Sequence, residues 1–187
     1  MIKKTLAILA GGKSSRMNYN NKALLLYKEK TFIENIINAG KEFDEIIIIS
    51  NNLEDYKNLD LNVYSDIYIG NGPLSGIHSA LKNSKNNKVL CVACDMPLIS
   101  KGTLNMIGSI DGNYEVIVPR INDRLQPMCA IYSKSLIPKI ESALIKGENK
   151  LQKFILSTNY KVLEEKLSVK DFSNINTEQE YKLLEGI

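Results

Sequence analysis

"TLAILAGGKSSRMNYNNKALL", residues 5–25, decides how the rest of the chain is read. Its first five residues form a short apolar run. Gly11 and Gly12 follow almost at once, and Lys13, Arg16 and Lys22 come after them with no acidic residue in between. A continuous apolar run suits a strand covered on both faces, as in a parallel sheet. Two glycines after such a strand open backbone angles closed to other residues and let the main chain approach a ligand closely. Successive amides in a turn of this kind form an anion-binding concavity. Arg16 is suited to fork onto phosphate oxygens and Lys22 to act as a point charge. A plain strand-to-helix turn with solvated lysines has the same spacing. Two better-known glycine motifs are excluded. The P-loop needs a glycine five positions before Gly12, where Ala7 stands in the apolar run, and G-x-G-x-x-G fails because the glycines are adjacent and no third follows.

The chain has 187 residues and is read as one domain, 1–187. With 44% hydrophobic and 24% charged residues it has the composition of a globular protein able to bury a core without staples. No apolar run reaches membrane-spanning length, and "EIIIIS" is far too short. The opening "MIKKTLAILAGGKSS" starts like a signal peptide, but its apolar run stops at Ala10 and the glycines follow, so a strand and a cytoplasmic location are expected. The net charge of +3 comes from scattered lysines, as in "KNSKNNK", without a basic stripe, which disfavours nucleic-acid binding. Three cysteines imply no disulfide framework. Cys91 and Cys94 form "CVAC" inside "KVLCVACD"; three apart on a strand they face opposite ways, as small core residues, and no second pair completes a zinc site.

Strands are expected at 5–9, 45–50, 62–65, 88–94, 115–119, 128–132 and 160–164. Helices are expected at 32–42, 73–83, 101–110, 135–146 and 151–157, with a last one reaching 185. Thr31 with Glu34 and Thr177 with Glu180 fit capping boxes. Alternating strands and helices argue an α/β fold with a mostly parallel sheet. Ligands of such sheets bind outside the carboxyl ends of the strands. Four strand ends carry polar groups: the glycine turn, "SNN" with Asn52, "SD" with Asp66, and "DMPL" with Asp95.

At this point the motifs resemble a family. "LAGGKSSRM…NKALL", "GPLSGI" (72–77), "CDMPLI" (94–99), "QPMCAIY" (126–132) and "NINTEQEY" (174–181) look, in order and spacing, like the signature of nucleotidyltransferases, and most closely of the MobA-like molybdenum cofactor guanylyltransferase family. The resemblance covers nearly the whole chain. It implies a three-layer Rossmann-like (GT-A-like) fold, with a mostly parallel central sheet flanked by helices. It implies transfer of GMP from GTP to the terminal phosphate of molybdopterin, with release of pyrophosphate. Carried over, Leu9, Ala10 and Gly11 lie against the nucleotide, and Lys22 and Asp66 contact it; Gly12 of the glycine turn and, as a weaker candidate, Asn52 are read into the same pocket. Asp95 contacts the nucleotide and holds Mg²⁺, and Arg16, Lys22 and Asp95 carry the catalysis. Asn174, Asn176 and Gln126 are expected at the acceptor. Delivery to molybdoenzymes or their chaperones is a further implied partnership. "LAGG" looks like the guanylyl branch, whereas cytidylyl and sugar-nucleotide relatives more often read "LAAG"; a cytidylyltransferase on molybdopterin or a sugar-phosphate nucleotidyltransferase is the alternative within the fold. Two residues depart from the family pattern: Asn18 replaces a glycine and Asn21 an aspartate.

Several residues have a plainer reading beside this one. Asp95 suits a turn at a strand end, and "NINT" a turn before the last helix. As a metal ligand, Asp95 would place a cation where an anionic nucleophile meets a triphosphate. In-line displacement of that kind needs positioning and charge more than covalent work. Asp66 fits the guanine edge, the ribose or the metal. Asn174 and Asn176 offer donor and acceptor together, as pterin or phosphate recognition needs. Arg120, Arg124 and Gln126 flank "RINDRLQP", either facing the acceptor or forming a surface hairpin. His78, the one histidine, is read as structural, since an ionised phosphate needs no general base.

Overall fold

The computed structural model of the chain describes residues 1–11, 21–164 and 167–186. In chain order its elements are β1 (Ile2–Leu9), β2 (Leu26–Tyr27), β3 (Lys30–Thr31), α1 (Phe32–Ala39), β4 (Phe43–Ile49), β5 (Asn62–Tyr64), α2 (Pro73–Asn83) and β6 (Lys88–Ala93). They continue with α3 (Lys101–Ser109), β7 (Val116–Ile121), β8 (Arg124–Leu125), β9 (Cys129–Ser133), α4 (Ile137–Ile145), α5 (Leu151–Leu156), β10 (Tyr160–Leu163) and α6 (Glu178–Glu185). Four 3₁₀ turns, Lys22–Leu24, Leu53–Tyr56, Lys134–Leu136 and Val169–Phe172, punctuate them.

The main sheet runs β10-β7-β9-β6-β1-β4-β5, with β8 attached to β7. β1 pairs in parallel with both neighbours, so that Leu9 lies opposite Ile49 on one side and Ala93 on the other. β9 runs antiparallel to both β6 and β7. The reason is the connection: no helix separates β7 from β9, and a parallel return needs a crossover of about a dozen residues or more.

Alternation along the central strands splits the core into two layers. Leu6, Ile8, Ile48, Leu90 and Val92 pack with Ile33 and Ile36 of α1 and Leu104 and Ile107 of α3. Ala7, Leu9, Ile47, Ile49, Val89 and Cys91 pack with Leu74, Ile77 and Leu81 of α2 and Ile140 and Leu144 of α4. Helices therefore cover both faces, as the continuous apolar runs required. Cys91 belongs to one layer and Cys94 packs against the other. Among the described residues no helix is long and apolar enough to cross a membrane.

Both capping boxes form: the Thr31 and Thr177 hydroxyls accept from the amides of Glu34 and Glu180, whose carboxylates answer the cap amides. α1 stops at Ala39 rather than 42. The Gly40 amide closes the last turn onto the carbonyls of Ile36 and Ile37 at 3.0 and 3.2 Å. A Cβ at Gly40 would lie 2.1 Å from Leu6 Cδ2, so any side chain there would have to displace that methyl group. Leu6 is fully buried, so the displacement falls within the core. Gly40→Ala is therefore expected to destabilise the fold by about 1–3 kcal/mol, the usual range for overpacking a core. A urea-unfolding midpoint that stayed unchanged would show that the β1–α1 contact gives way without strain.

Candidate functional site

The carboxyl edge of the sheet is tied together at the end of β1. The Ala10 amide donates to the Ile49 carbonyl at 2.8 Å, and the Cys94 amide donates to the Leu9 carbonyl at 3.1 Å. Gly11 thus steps out of the sheet at the level where β4 and β6 also end. A Cβ at Gly11 would meet no described atom within 4 Å, so no packing contact among these residues requires a glycine there. Gly12 and Arg16, with Asn18, lie outside the described residues.

Asp95 lies two residues past the end of β6. Its Oδ1 is buried and has no hydrogen-bond partner among the described residues. Burial holds its carboxyl above the ordinary aspartate value; the Lys22 ammonium pulls the other way, and Glu180 adds repulsion. Leaving a buried acceptor unpaired costs about 1–3 kcal/mol, and more when it is charged. A hard divalent cation with oxygen ligands would satisfy that atom, so Asp95 fits a metal role on the chemistry of its donor. No group of three or more His, Cys, Asp or Glu gathers among the described residues.

Lys22 opens a 3₁₀ turn whose cap is Asn21. The Asn21 Oδ1 accepts from the Ala23 amide at 3.1 Å, while its Nδ2 donates to Asp55 Oδ2 at 2.7 Å and to Tyr56 Oη at 2.9 Å. Tyr56 is fully buried, and burial pushes its phenol up to about 12, so it stays neutral. An aspartate at position 21 would keep the cap but lose both donors and set its charge against Asp55. The departure at Asn21 is thus matched by its surroundings. The Lys22 Nζ donates to Asn176 Oδ1 at 2.8 Å, across 154 residues of chain. The Ile175 amide donates to the Asp95 carbonyl at 2.9 Å. Asn176 and Thr177 in turn donate their amides to Glu180 Oε2 at 2.7 and 2.8 Å. Lys22, Asp95 and Asn176 therefore lie together at this edge.

Asp66 approaches from the other side of β1. Asn51 holds it from both ends: the Asn51 Nδ2 donates to Asp66 Oδ2 at 3.2 Å, and the Asp66 amide donates to Asn51 Oδ1 at 2.9 Å. Burial raises the Asp66 carboxyl against the pull of Asn51. Its free Oδ1 lies 3.7 Å from where a Cβ on Gly76 would sit, and Leu9 Cδ2 lies 3.6 Å from the same point. A Cβ at Gly76 would thus make ordinary van der Waals contact with both, which places the first turns of α2 beside them. The N-cap of α2 is Gly72 at φ +69°, a conformation that needs glycine, and no side chain caps it. Asn51 escaped the sequence reading, which chose Asn52 from the same pair. Asn52 is exposed, donates its amide to Ser50 Oγ at 3.1 Å, and lines with residues 51 and 53–55 a cavity of about 480 Å³.

The remaining candidates divide. Asn174 is exposed and makes no hydrogen bond among the described residues. Gln126 lines a cavity with Arg124, to which Lys22 does not contribute, whereas Arg120 is paired at the surface with Glu164 at 3.0 Å. His78 is buried, with Nε2 3.0 Å from Glu141 Oε1 and its ring edge-on to Tyr68, a packing role as expected. Burial pushes the Cys94 and Cys129 thiols up to about 12 and raises that of Cys91, which keeps all three protonated and unreactive.

These features can be set beside known proteins. Residues 6–162 match the model of the MobA-like NTP transferase domain. A probable molybdenum cofactor guanylyltransferase of Clostridium perfringens (strain 13 / Type A) is 54% identical over 190 residues, covering 97% of this chain and 96% of that protein. A protein of the same printed name from Carboxydothermus hydrogenoformans is 36% identical over 186 residues, covering 96% and 94%. The crystal structure of molybdopterin-guanine dinucleotide biosynthesis protein A from Archaeoglobus fulgidus superposes with a TM-score of 0.81 over 97% of each chain, at 22% identity, which speaks for the fold alone. A strand-tip acid and lysine on a mostly parallel sheet, a family model spanning both, and relatives alike from end to end agree: the chain belongs to the MobA-like NTP transferase family.

Proposed function

We propose that this chain transfers GMP from GTP to the terminal phosphate of molybdopterin, forming the guanine dinucleotide of that cofactor and releasing pyrophosphate. Its support is the likeness to proteins named molybdenum cofactor guanylyltransferase over nearly their whole length. The observation that carries the chemistry is the buried Asp95 oxygen near Lys22, without a hydrogen-bond partner among the described residues and one strand away from Gly11. An oxygen of the acceptor phosphate attacks the α-phosphorus of GTP. The bond from that phosphorus to the bridging oxygen breaks, and its electron pair leaves with pyrophosphate. The nucleophile is already ionised, so no proton has to be removed.

The chain's own residues supply position and charge. The turn after Leu9 and Ala10 brings backbone amides against the triphosphate at Gly11 and, beyond the described residues, Gly12. Lys22 places an ammonium at the phosphates, and Arg16 forks onto their oxygens. Asp66, steadied by Asn51, and Asn52 hold the nucleoside end. Asn174, Asn176 and Gln126 serve the acceptor, with Asn176 linking it to Lys22. A Mg²⁺ held by Asp95 would offset the charge of the leaving pyrophosphate and the approaching phosphate. Three free cysteines suit a reducing compartment, and the reaction is assigned to the cytoplasm.

Pyrophosphate release from each of the four nucleoside triphosphates, with molybdopterin and Mg²⁺ present, tests the reaction. Turnover is expected with GTP, and turnover with CTP alone would replace this reading by a cytidylyl transfer. Asp95→Asn tests the metal role and has a second, opposite readout. Because burial raises the folded carboxyl, the folded chain holds that proton more tightly than the unfolded one. The stabilisation from Asp95 is complete below the ordinary aspartate pKa of about 3.9 and is lost as pH rises through the raised folded value. At neutral pH the ligand-free variant should therefore melt higher than the parent chain, with the gap closing in acid, while transfer is abolished. GTP with Mg²⁺ should raise the melting temperature of the parent chain by more than that of the variant. Equal ligand shifts in the two would remove Asp95 from the metal.

A further inference from the structure

A second cavity, about 430 Å³, opens beside the β7–β8 hairpin, on the side of β6 away from β5. Ile121, Asn122, Arg124 and Gln126 form one wall; Val169, Phe172 and Ser173 form the other. The local fold dictates both. Asn122 and Asp123 take φ of +47° and +59°, the left-handed pair of a two-residue hairpin turn. That turn sets Arg124 opposite Ile121, so the two side chains share one face, and Gln126, two residues on, returns to it. Arg120 pairs with Leu125 and takes the other face, where it meets Glu164. On the opposite wall, Val169 and Phe172 are three apart in a 3₁₀ turn and align. Asp171 between them accepts from the Ser100 amide at 3.0 Å and pins that wall to the start of α3.

Both walls lead to the candidate catalytic edge. Beyond Gln126, the Met128 carbonyl accepts from Ala93 at 2.9 Å; beyond Ser173, the Ile175 amide donates to Asp95 at 2.9 Å. The cavity is therefore hydrogen-bonded on both sides to the segment that carries Asp95. Its chemistry is mixed. Ile121 and Phe172 are buried and apolar, Gln126 offers an amide, and Arg124 makes no salt bridge among the described residues. The volume falls within the range of about 300–1,000 Å³ usual for small-molecule sites.

We propose that this cavity seats the pterin ring of the acceptor. The proposal rests on the guanylyl-transfer reading and adds a location to it. A pterin is flat, with apolar faces and an edge of adjacent donors and acceptors. The Gln126 amide presents donor and acceptor to such an edge. The Arg124 guanidinium, which pairs with no carboxylate among the described residues, stacks on a ring face. Ile121 and Phe172 supply the floor. The acceptor's phosphate then points along the Gln126–Ala93 and Ser173–Ile175 connections towards Asp95 and Lys22.

Free pterin, titrated into the full chain and followed by quenching of its fluorescence, tests the seat without turnover. Arg124→Ala and Gln126→Leu should each weaken pterin binding about tenfold, and Val169→Trp, which fills the cavity from its exposed rim, should abolish it. Arg120→Ala, on the other face, should leave it unchanged, and GTP affinity should hold in all four. In steady-state transfer, the loss should appear as a raised KM for molybdopterin with the KM for GTP constant. Pterin affinity unchanged in all three cavity variants, or GTP affinity falling with it, would overturn the seat. If the parent chain transfers GMP but its acceptor KM ignores these substitutions, the seat is wrong and the reaction stands. If pterin binding follows the expected pattern while no GMP is transferred, the seat stands and the guanylyl-transfer reading fails.

Discussion

β1 is hydrogen-bonded in parallel on both sides, and that double pairing is the constraint on which the site depends. A strand held by two parallel neighbours must end where they end, so the segments after β1, β4 and β6 emerge at one level. The Cys94 amide on the Leu9 carbonyl and the Ala10 amide on the Ile49 carbonyl fix that level to within a residue. From there Gly11 turns away, Asp95 follows β6, and Asn51 follows β4 to grip Asp66. The antiparallel β9 continues the sheet past β6 and carries the β7–β8 hairpin, and with it a cavity, to the same edge.

Two acids near this edge show how the fold separates structure from chemistry. Asp171 is buried and has the amide and hydroxyl of Ser100 as donors, so it stabilises the packing of the Val169–Phe172 turn on α3. Asp95 lies on the same side of the molecule with a buried oxygen that no described donor reaches. Nearly all buried polar groups in native proteins are paired; among the described residues His78 Nδ1 and Asn105 Oδ1 also lack a partner, and of the three only Asp95 follows a strand of the sheet. Lys22 reduces the cost through its charge but bonds to Asn176 rather than to Asp95. The carboxylate is thereby kept available. Asn21 contributes at one remove: by joining Asp55 and Tyr56, it anchors the turn from which Lys22 projects.

The features legible in the chain before folding were those set by neighbours a few residues apart. Continuous apolar runs announced strands covered on both faces. Thr31 with Glu34 and Thr177 with Glu180 announced two helix starts, because a capping box closes within one turn. Asp66 and Asp95 stood out for a similar reason, as each acid comes at the end of a strand-like run. Even the end of α1 carries a local mark at Gly40, though the reason for it, Leu6, lies on another element.

What no local pattern holds is the choice among partners far apart in the chain. Lys22 meets Asn176 because α6 and the segment before it fold back onto the sheet edge. Asn51, rather than Asn52, holds Asp66 because strand pairing of β4 with β5 brings that side chain within reach. Arg124 lines a cavity and Arg120 a surface ion pair because a two-residue turn fixes which face each takes. The missing partner of Asp95 is likewise a fact about space. Short-range hydrogen bonds follow from spacing alone, whereas long-range ones exist only after the sheet register has decided which loops share an edge.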